Sequence, residues 1–181
     1  NLTQDNFFQD LIKLATALPN GYQSLGTEFL VHIDGDRQFV PEYLHSDIFQ
    51  PSIKIWLYLE DVSLDKGPLS YVMGSHRKNP KVLEWWYKMS CIACDETHKE
   101  FETYIYRDSS DKNNWDFSPC LKSGASEEEI NIELEKLDLP EITRFSKKEN
   151  TLIIVDTSGF HGRGKAKAGM RWDTRKSICI F

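Results

Sequence analysis

The sequence lacks both an excess of basic residues and any long apolar run. Its 181 residues include 28 acidic and 22 basic side chains, so the formal net charge is −6. A protein that binds nucleic acid through its phosphates needs a positive surface, and this balance argues against that class. No stretch approaches the roughly 20 apolar residues of a membrane helix, and the N-terminus lacks the basic-then-apolar order of a secretory signal. We therefore expect a small molecule as the binding partner, and neither a nucleic acid nor a membrane.

Cysteine is scarce as well. The cysteines are Cys91, Cys94, Cys120 and Cys179, which are too few and too unevenly placed for a disulfide scaffold. Reduced thiols and a cytoplasmic location are the simpler expectation. One alternative stays open, because Cys91, Cys94 and Cys120 together with His98 have the ligand types of tetrahedral zinc, although a second C-x-x-C pair is absent. Free thiols are the favoured interpretation.

The apolar content is sufficient for one folded domain. Hydrophobic residues make up 40% of the chain and aromatic residues 12%, which is enough to build a core at this length. We predict a single domain over residues 1–181, without internal repeats or low-complexity tracts. The chain begins at Asn1 without a methionine and stops inside the apolar run 178–181, so further residues are expected beyond both ends.

Apolar periodicity predicts the secondary structure. Apolar residues near the helical period predict an amphipathic helix over residues 6–18, which the sequence Pro-Asn-Gly at 19–21 ends. Alternating or continuous apolar runs predict strands, and the sequence Asp-Gly-Asp at 34–36 is turn chemistry between two extended segments. The predicted strands cover residues 29–40 as a hairpin, 52–62, 69–73, 151–155 and 175–181.

Residues 77–148, called the insert below, are charged and helical in character. Ser126 followed by Glu129 forms a capping box, which predicts the start of a helix. The aromatic run 85–87 is interpreted as packing of the insert on the rest of the domain, with a lid or a substrate wall as the alternative. The chain is thus predicted to be mainly β, with flanking helices and a helical insertion.

Three residues have the identity and spacing of metal ligands. His45 and Asp47 are two residues apart, so on an extended segment their side chains share a face and reach one ion. His161 follows the strongest strand of the C-terminal half, beside Gly162, which lets the backbone approach closely. Two histidines and one carboxylate on one side of an ion are typical of non-haem Fe(II) oxygenases. A second His-x-Asp pair, at 32–34, leads directly into a turn and is interpreted as structural.

Longer motifs connect these residues to a known family. The motifs are, in chain order, LHSD at 44–47, WLYLED at 56–61, KGPLSYVMGSH at 66–76, FHG at 160–162 and RKS at 175–177. In their order and spacing they resemble the phytanoyl-CoA dioxygenase family. The resemblance covers about residues 40–80 and 150–181, whereas the insert and the first forty residues contain no motif that we can assign.

The resemblance implies a double-stranded β-helix, or jelly roll, that holds Fe(II) through His45, Asp47 and His161. The cosubstrate 2-oxoglutarate would chelate the metal beside them, and O2 would take the remaining position. The implied reaction is hydroxylation of an unactivated C–H bond of a small organic substrate, with release of succinate and CO2. Aspartate at position 47 favours hydroxylation over halogenation, because related halogenases carry a small residue there that leaves room for chloride.

The resemblance also implies a cosubstrate pocket. The arginine that anchors 2-oxoglutarate lies on the strand after the distal histidine, where this chain has Arg171 and Arg175. We favour Arg175, because it begins the apolar strand and Ser177 shares its face, so that both can bind the distal carboxylate. Its spacing from His161 is longer than is usual in the family, so Arg171 remains the alternative anchor. Either arginine could also be a surface residue without a role in binding. Trp56 matches a pocket-lining position, with a plain core tryptophan as the alternative.

Two other functions are compatible with the same residues. Jelly rolls also serve as ligand-binding modules without turnover, and a fold does not determine a function. The complete set of three ligands and the candidate arginine argue against that alternative. A cupin-type metalloenzyme that does not use 2-oxoglutarate is the other, and it would have no arginine directed at the metal pocket.

Overall fold

The computed structural model describes residues 6–16, 25–26, 29–30, 44–107, 117–164 and 175–180. The helices in these ranges are α1 (Asn6–Thr16), α2 (Pro80–Ala93), α3 (Phe101–Tyr104) and α4 (Glu127–Lys136). The strands are β1 (Leu25–Gly26), β2 (Phe29–Leu30), β3 (Ile53–Tyr58), β4 (Leu69–Val72), β5 (Ile105–Arg107), β6 (Phe117–Pro119), β7 (Ile142–Arg144), β8 (Leu152–Asp156), β9 (His161–Arg163) and β10 (Arg175–Ile180). Antiparallel sheets with some helices confirm the prediction of a mainly β protein.

The larger sheet has the strand order β1-β10-β3-β8, and β2 also pairs with β10. All of its pairings are antiparallel, with Tyr58 opposite Ser177 and Trp56 opposite both Cys179 and Ile153. Directly opposed residues of neighbouring strands share a face of the sheet. The strands predicted at 52–62, 151–155 and 175–181 are therefore confirmed as β3, β8 and β10, and Ser177 lies on the same face as Tyr58.

The smaller sheet has the order β7-β4-β9. Its central strand β4, predicted at 69–73, has Tyr71 opposite both His161 on β9 and Thr143 on β7. Beyond β9 the pairing continues through two isolated bridges, one between His161 and His45 and one between His45 and Cys120. Two residues that are 116 positions apart in the chain are thus direct backbone neighbours at this edge.

Side chains from the two sheets form a core between them. The members are Trp56, Tyr58, Val62, Leu69, Tyr71, Ile153 and Val155. Tyr58 also links the sheets by hydrogen bonds, since its hydroxyl accepts from the N–H of Leu69 at 3.1 Å and donates to the carbonyl of Phe145 at 3.3 Å. The face of β3 that carries Trp56 and Tyr58 therefore points towards the smaller sheet.

Helices α2 and α4 of the insert cover the outer face of the smaller sheet. A second cluster joins Val72 and Phe160 of the β structure to Val82 of α2 and to Ile130 and Leu134 of α4. The tryptophans at 85 and 86 pack against this cluster, which supports the packing interpretation of the aromatic run, although the tyrosine at 87 is 74% exposed. Helix α4 begins with the predicted capping box.

The insert is less purely helical than predicted, because it also contributes strands β5, β6 and β7. Strand β7 is built into the smaller sheet beside β4, and a bridge between Val62 and Lys147 continues the contact. Each of these strands has three residues, which is too short for the period of two to stand out from a charged background. Part of the insert therefore belongs to the β framework.

Some predictions lie outside the described residues. The hairpin at 29–40 is described only at Phe29 and Leu30, while its turn at 34–36 and the His-x-Asp pair at 32–34 fall beyond. The predicted helix at 6–18 is confirmed as α1 over Asn6–Thr16. None of the helices in the described ranges is long and apolar enough to traverse a lipid bilayer.

Candidate metal centre

The two candidate histidine ligands are held together by their own backbones. The N–H of His45 donates to the carbonyl of His161 at 2.9 Å, and the N–H of His161 donates to the carbonyl of His45 at 2.9 Å. Opposed residues of an antiparallel pair share a face, and the two imidazole rings lie 4.5 Å apart between centroids at an interplanar angle of 48°. The strand pairing thus brings both rings to one place.

Asp47 completes the group two residues beyond His45. Its N–H donates to the carbonyl of Thr157 at 3.1 Å, so the carboxylate stays beside the segment that leads to His161. The carboxylate oxygen Oδ1 lies 3.6 Å from Nε2 of His45 and 3.6 Å from Nε2 of His161. The three ligand atoms all lie within 4.8 Å of one another, a separation that one metal ion can bridge.

The turn before β9 orients the ring of His161. Its Nδ1 lies 3.0 Å from the carbonyl of Gly159, and a carbonyl can only accept, so Nδ1 carries the proton and donates. In the neutral imidazole this leaves the lone pair on Nε2, the atom that faces Asp47. The turn is itself fixed, because Ser75 Oγ accepts from the N–H of Phe160 at 2.8 Å and Ser46 Oγ donates to the carbonyl of Ser158 at 2.8 Å.

The charges at the site suit a metal ligand set. Burial, together with the charge of His45, lowers the pKa of His161 to about 3, so this imidazole is neutral at pH 7. Burial tends to raise the pKa of Asp47, but the interactions of its carboxylate with His45, with His161 and with the ammonium group of Lys54 outweigh it and hold the pKa well below its usual range. A neutral imidazole and an ionised carboxylate are the forms that bind metal ions.

The site opens to solvent on one side. The side chain of His161 is 4% exposed, that of His45 15% and that of Asp47 19%. His161 is therefore enclosed, whereas His45 and Asp47 each keep part of their side chains in contact with solvent. Solvent reaches the group at these two residues and not at His161.

Lys54 is a site residue that the sequence analysis missed. It lies on β3 two positions before Trp56, and its Nζ is 2.8 Å from Oδ2 of Asp47. The signal was present in the alternation along β3, which puts residues 54, 56 and 58 on one face. A lysine on the face that carries Trp56 and Tyr58 points towards the interior, where an unpaired charge is costly.

The predicted cosubstrate residues fall partly within the described ranges. Ser177 is fully buried on β10, opposite Tyr58. Trp56 is 5% exposed and belongs to the core between the sheets, on the face shared by Lys54, so its core role is established and its pocket role stays a prediction. Arg175 begins β10 and pairs with Leu30. Arg171 lies outside the described residues.

The alternative zinc site is not formed. Within the described part of the chain, one group of three or more metal-ligating side chains comes together, and it consists of His45, Asp47 and His161. Cys91 and Cys94 are exposed, whereas Cys120 is buried and its thiol points at the carbonyl of Thr103 at 3.6 Å. Burial raises the pKa of Cys120 to about 12, which keeps it a protonated thiol. The free-thiol interpretation of these residues therefore fits the structure.

Comparisons with known proteins identify the family. Neither the comparison with curated proteins nor that with solved structures returned a match. A family model described as Phytanoyl-CoA dioxygenase (PhyH) matches residues 4–118. The match contains His45 and Asp47 and ends before His161. It also includes part of the first forty residues and part of the insert, two regions in which the sequence motifs gave no assignment. Because the matched span is more than half of the chain, the chain belongs to the phytanoyl-CoA dioxygenase family.

Proposed function

We propose that this chain is an Fe(II)- and 2-oxoglutarate-dependent oxygenase that hydroxylates an unactivated C–H bond of a small organic substrate. Membership of the family implies oxygenase function of this type. The observation that carries the proposal for this chain is the convergence of His45, Asp47 and His161, with their ligand atoms within 4.8 Å of one another. Two imidazoles and one carboxylate are the ligand set of non-haem Fe(II) oxygenases. In keeping with the family, we assign the two facing antiparallel sheets to a jelly roll.

The three ligands have distinct tasks in this proposal. His161 and His45 supply nitrogen ligands, and the carbonyl of Gly159 keeps the lone pair of His161 on Nε2. Asp47 supplies the negative charge that favours a divalent ion, and a carboxylate in this position leaves no room for the halide of a halogenase. Bound iron would supply the activation of O2 that the oxidation of a C–H bond requires. The strand pairing holds His45 and His161 in place, and the burial of His161 keeps water from that ligand.

A buried hydroxyl supports a polar ligand between the sheets. Ser177 Oγ is fully buried and has no hydrogen-bond partner among the described residues. Buried polar groups are nearly always paired, so an unpaired one calls for a ligand or water. A carboxylate oxygen of 2-oxoglutarate would accept from this hydroxyl, and Arg175, two positions earlier on β10, would supply the opposite charge. Arg171 is the alternative anchor.

The test is anaerobic addition of Fe(II) and 2-oxoglutarate, followed by the visible metal-to-ligand charge-transfer band. The wild type should develop the band, and His45→Ala and His161→Ala should not. Arg175→Ala and Arg171→Ala form a matched pair of charge removals. We expect the first to require roughly tenfold or more additional 2-oxoglutarate, as for a lost charge-assisted bond, and the second to titrate like the wild type.

The outcomes separate the alternatives. A folded wild type that binds Fe(II) but never forms the band with 2-oxoglutarate would indicate a metalloenzyme of the cupin type. A folded wild type that binds no divalent ion would indicate a binding module and would overturn the proposal. If only Arg171→Ala weakens 2-oxoglutarate binding, the oxygenase stands and the anchor is Arg171.

A further inference from the structure

Lys54 is a partly buried cation at the candidate metal centre. Its side chain is 23% exposed, and its Nζ contacts Asp47 Oδ2 at 2.8 Å. The residue lies on β3 opposite Val155, on the face that carries Trp56 and Tyr58 into the core between the sheets. A lysine is seldom placed on such a face unless it is paired. Its partner here is the only carboxylate among the three candidate ligands.

The two oxygens of Asp47 therefore face different partners. Oδ1 lies 3.6 Å from Nε2 of each histidine, whereas Oδ2 contacts the ammonium group of Lys54. A metal ion held by both imidazoles is reached by Oδ1. Binding through Oδ2 as well would require the carboxylate to turn away from Lys54 and to lose this ion pair.

We infer that Lys54 is a positioning residue that reserves Oδ2 of Asp47 and thereby makes this carboxylate a one-oxygen ligand. The inference rests on the proposed metal site. A carboxylate that binds through one oxygen uses one coordination position, and the positions opposite the three ligands then stay available for other ligands. A carboxylate that binds through both oxygens would take a further position. Partners of this kind, outside the ligand shell, commonly set ligand orientation.

Lys54 also adds a fixed positive charge beside the metal position. The repulsion between this charge and a bound ion grows in proportion to the charge of the ion, so a trivalent ion is penalised more than a divalent one. The pairing of Asp47 with Lys54 thus lowers the negative charge that the site presents. We therefore expect the site to favour a divalent ion over a trivalent one.

The experiment compares two redox-inert ions in the metal-free chain. Zn(II) represents a divalent ion and Ga(III) a trivalent ion, and both affinities are measured by competition with a chelator of known strength. The variants are Lys54→Met, which removes the charge, Lys54→Gln, which removes it but stays polar, and Lys54→Arg, which keeps it. Lys66→Met is the matched control, because Lys66 is 27% exposed and pairs at 3.2 Å with Glu60, which is not one of the three candidate ligands.

We expect Lys54→Met and Lys54→Gln to shift the ratio of Ga(III) to Zn(II) affinity upward by roughly tenfold or more, as expected for removal of a nearby unit charge. Lys54→Arg and Lys66→Met should keep the wild-type ratio. The Co(II)-loaded charge-removal variants should also show a weaker visible absorption, because a second carboxylate oxygen raises the coordination number. A purely structural lysine would change stability and leave the affinity ratio unchanged.

The failure of this inference is distinguishable from failure of the proposed function. If the wild type binds neither ion, the metal site itself is wrong. If the wild type binds Zn(II) and both charge-removal variants keep its affinity ratio and its Co(II) spectrum, the site stands and the role of Lys54 is refuted. Should Lys54→Met not fold, the polar Lys54→Gln variant carries the same comparison.

Discussion

At the scale of single residues, Gly159 occupies a position where no side chain fits. A Cβ built there would lie 2.8 Å from Ser75 Oγ and 2.8 Å from Tyr71 Cζ, and closer still to the Tyr71 hydroxyl. The same residue supplies the carbonyl that accepts from Nδ1 of His161 at 3.0 Å. The absence of a side chain therefore lets the turn lie close to β4, where it sets the direction of the His161 ring.

Gly159→Ala is expected to damage both the fold and the metal site. The added methyl group must displace Tyr71 or the turn, which should lower the free energy of unfolding by about 1–3 kcal/mol. Because the carbonyl that orients His161 would move with the turn, divalent-ion affinity should fall roughly tenfold or more. Denaturant titration and Zn(II) competition measure the two effects.

Gly124→Ala is the control for that experiment. Gly124 has a φ of 71° and open space around its Cβ position, so alanine there adds backbone strain of about 1–2 kcal/mol without contact with the candidate ligands. Zn(II) affinity should be unchanged in this variant. Equal losses of affinity in both glycine variants would mean that general destabilisation, and not the direction of the His161 ring, controls metal binding.

At the scale of elements, helix α4 shows how a local sequence signal supports the β framework. Ser126 Oγ accepts from the N–H of Glu129 at 3.3 Å, and the Glu129 carboxylate accepts from the N–H of Ser126 at 2.8 Å. The helix then buries Ile130 and Leu134 against the outer face of the smaller sheet. The cap begins the helix at the position from which these two residues reach that sheet.

Ser126→Ala should therefore lower the free energy of unfolding by about 1 kcal/mol, the usual cost of losing an N-cap side chain. Equilibrium unfolding in urea is the measurement. Ser123→Ala is the control and should have little effect, because Ser123 is an exposed serine three positions before the N-cap, and its backbone N–H, which donates to the carbonyl of Thr103 at 2.7 Å, stays in place. A Ser126→Ala variant as stable as the control would contradict a stabilising role for the cap.

At the scale of the whole molecule, Tyr58 connects the two sheets. The residue is fully buried, and its hydroxyl bonds Leu69 on β4 and Phe145 just beyond β7. Tyr58 lies on β3 in the larger sheet, whereas Leu69 lies on β4 and Phe145 directly after β7. This single hydroxyl therefore helps to fix the position of one sheet relative to the other. The candidate ligands His161 and His45 lie on the smaller sheet and in its bridge, while Lys54 and Ser177 lie on the larger sheet. The geometry of the candidate site therefore depends on how the two sheets are placed relative to each other.

Tyr58→Phe should lower the free energy of unfolding by about 1–3 kcal/mol, because it leaves the buried N–H of Leu69 without its partner while the ring still fills the core. Thermal and urea unfolding provide the measurement. Tyr87→Phe removes a hydroxyl from a side chain that is 74% exposed and should be close to neutral. If Tyr58→Phe and Tyr87→Phe both unfold at the same temperature and urea concentration as the wild type, the Tyr58 hydroxyl does not hold the sheets together.

Local patterns predicted a large part of the fold. The alternation along β3 and the apolar runs at β4, β8 and β10 predicted strands, and Ser126 with Glu129 predicted the start of α4. These signals can be recognised in the sequence because each depends on residues that are only two to four positions apart. Strand β7, with three residues, carries too few alternations for the same reasoning, and its membership of the smaller sheet came from the structure.

The sequence by itself determined the pair His45 and Asp47, because a spacing of two on extended backbone puts both side chains on one face whatever the rest of the chain does. Only the tertiary structure decided that His161 joins them, through the backbone bridge to His45, and that Lys54 reaches the second oxygen of Asp47. The physical reason is the distance along the chain over which each effect acts. A strand period acts over a few residues, whereas the pairing of distant strands depends on the packing of both sheets around one core, and no local pattern specifies that register.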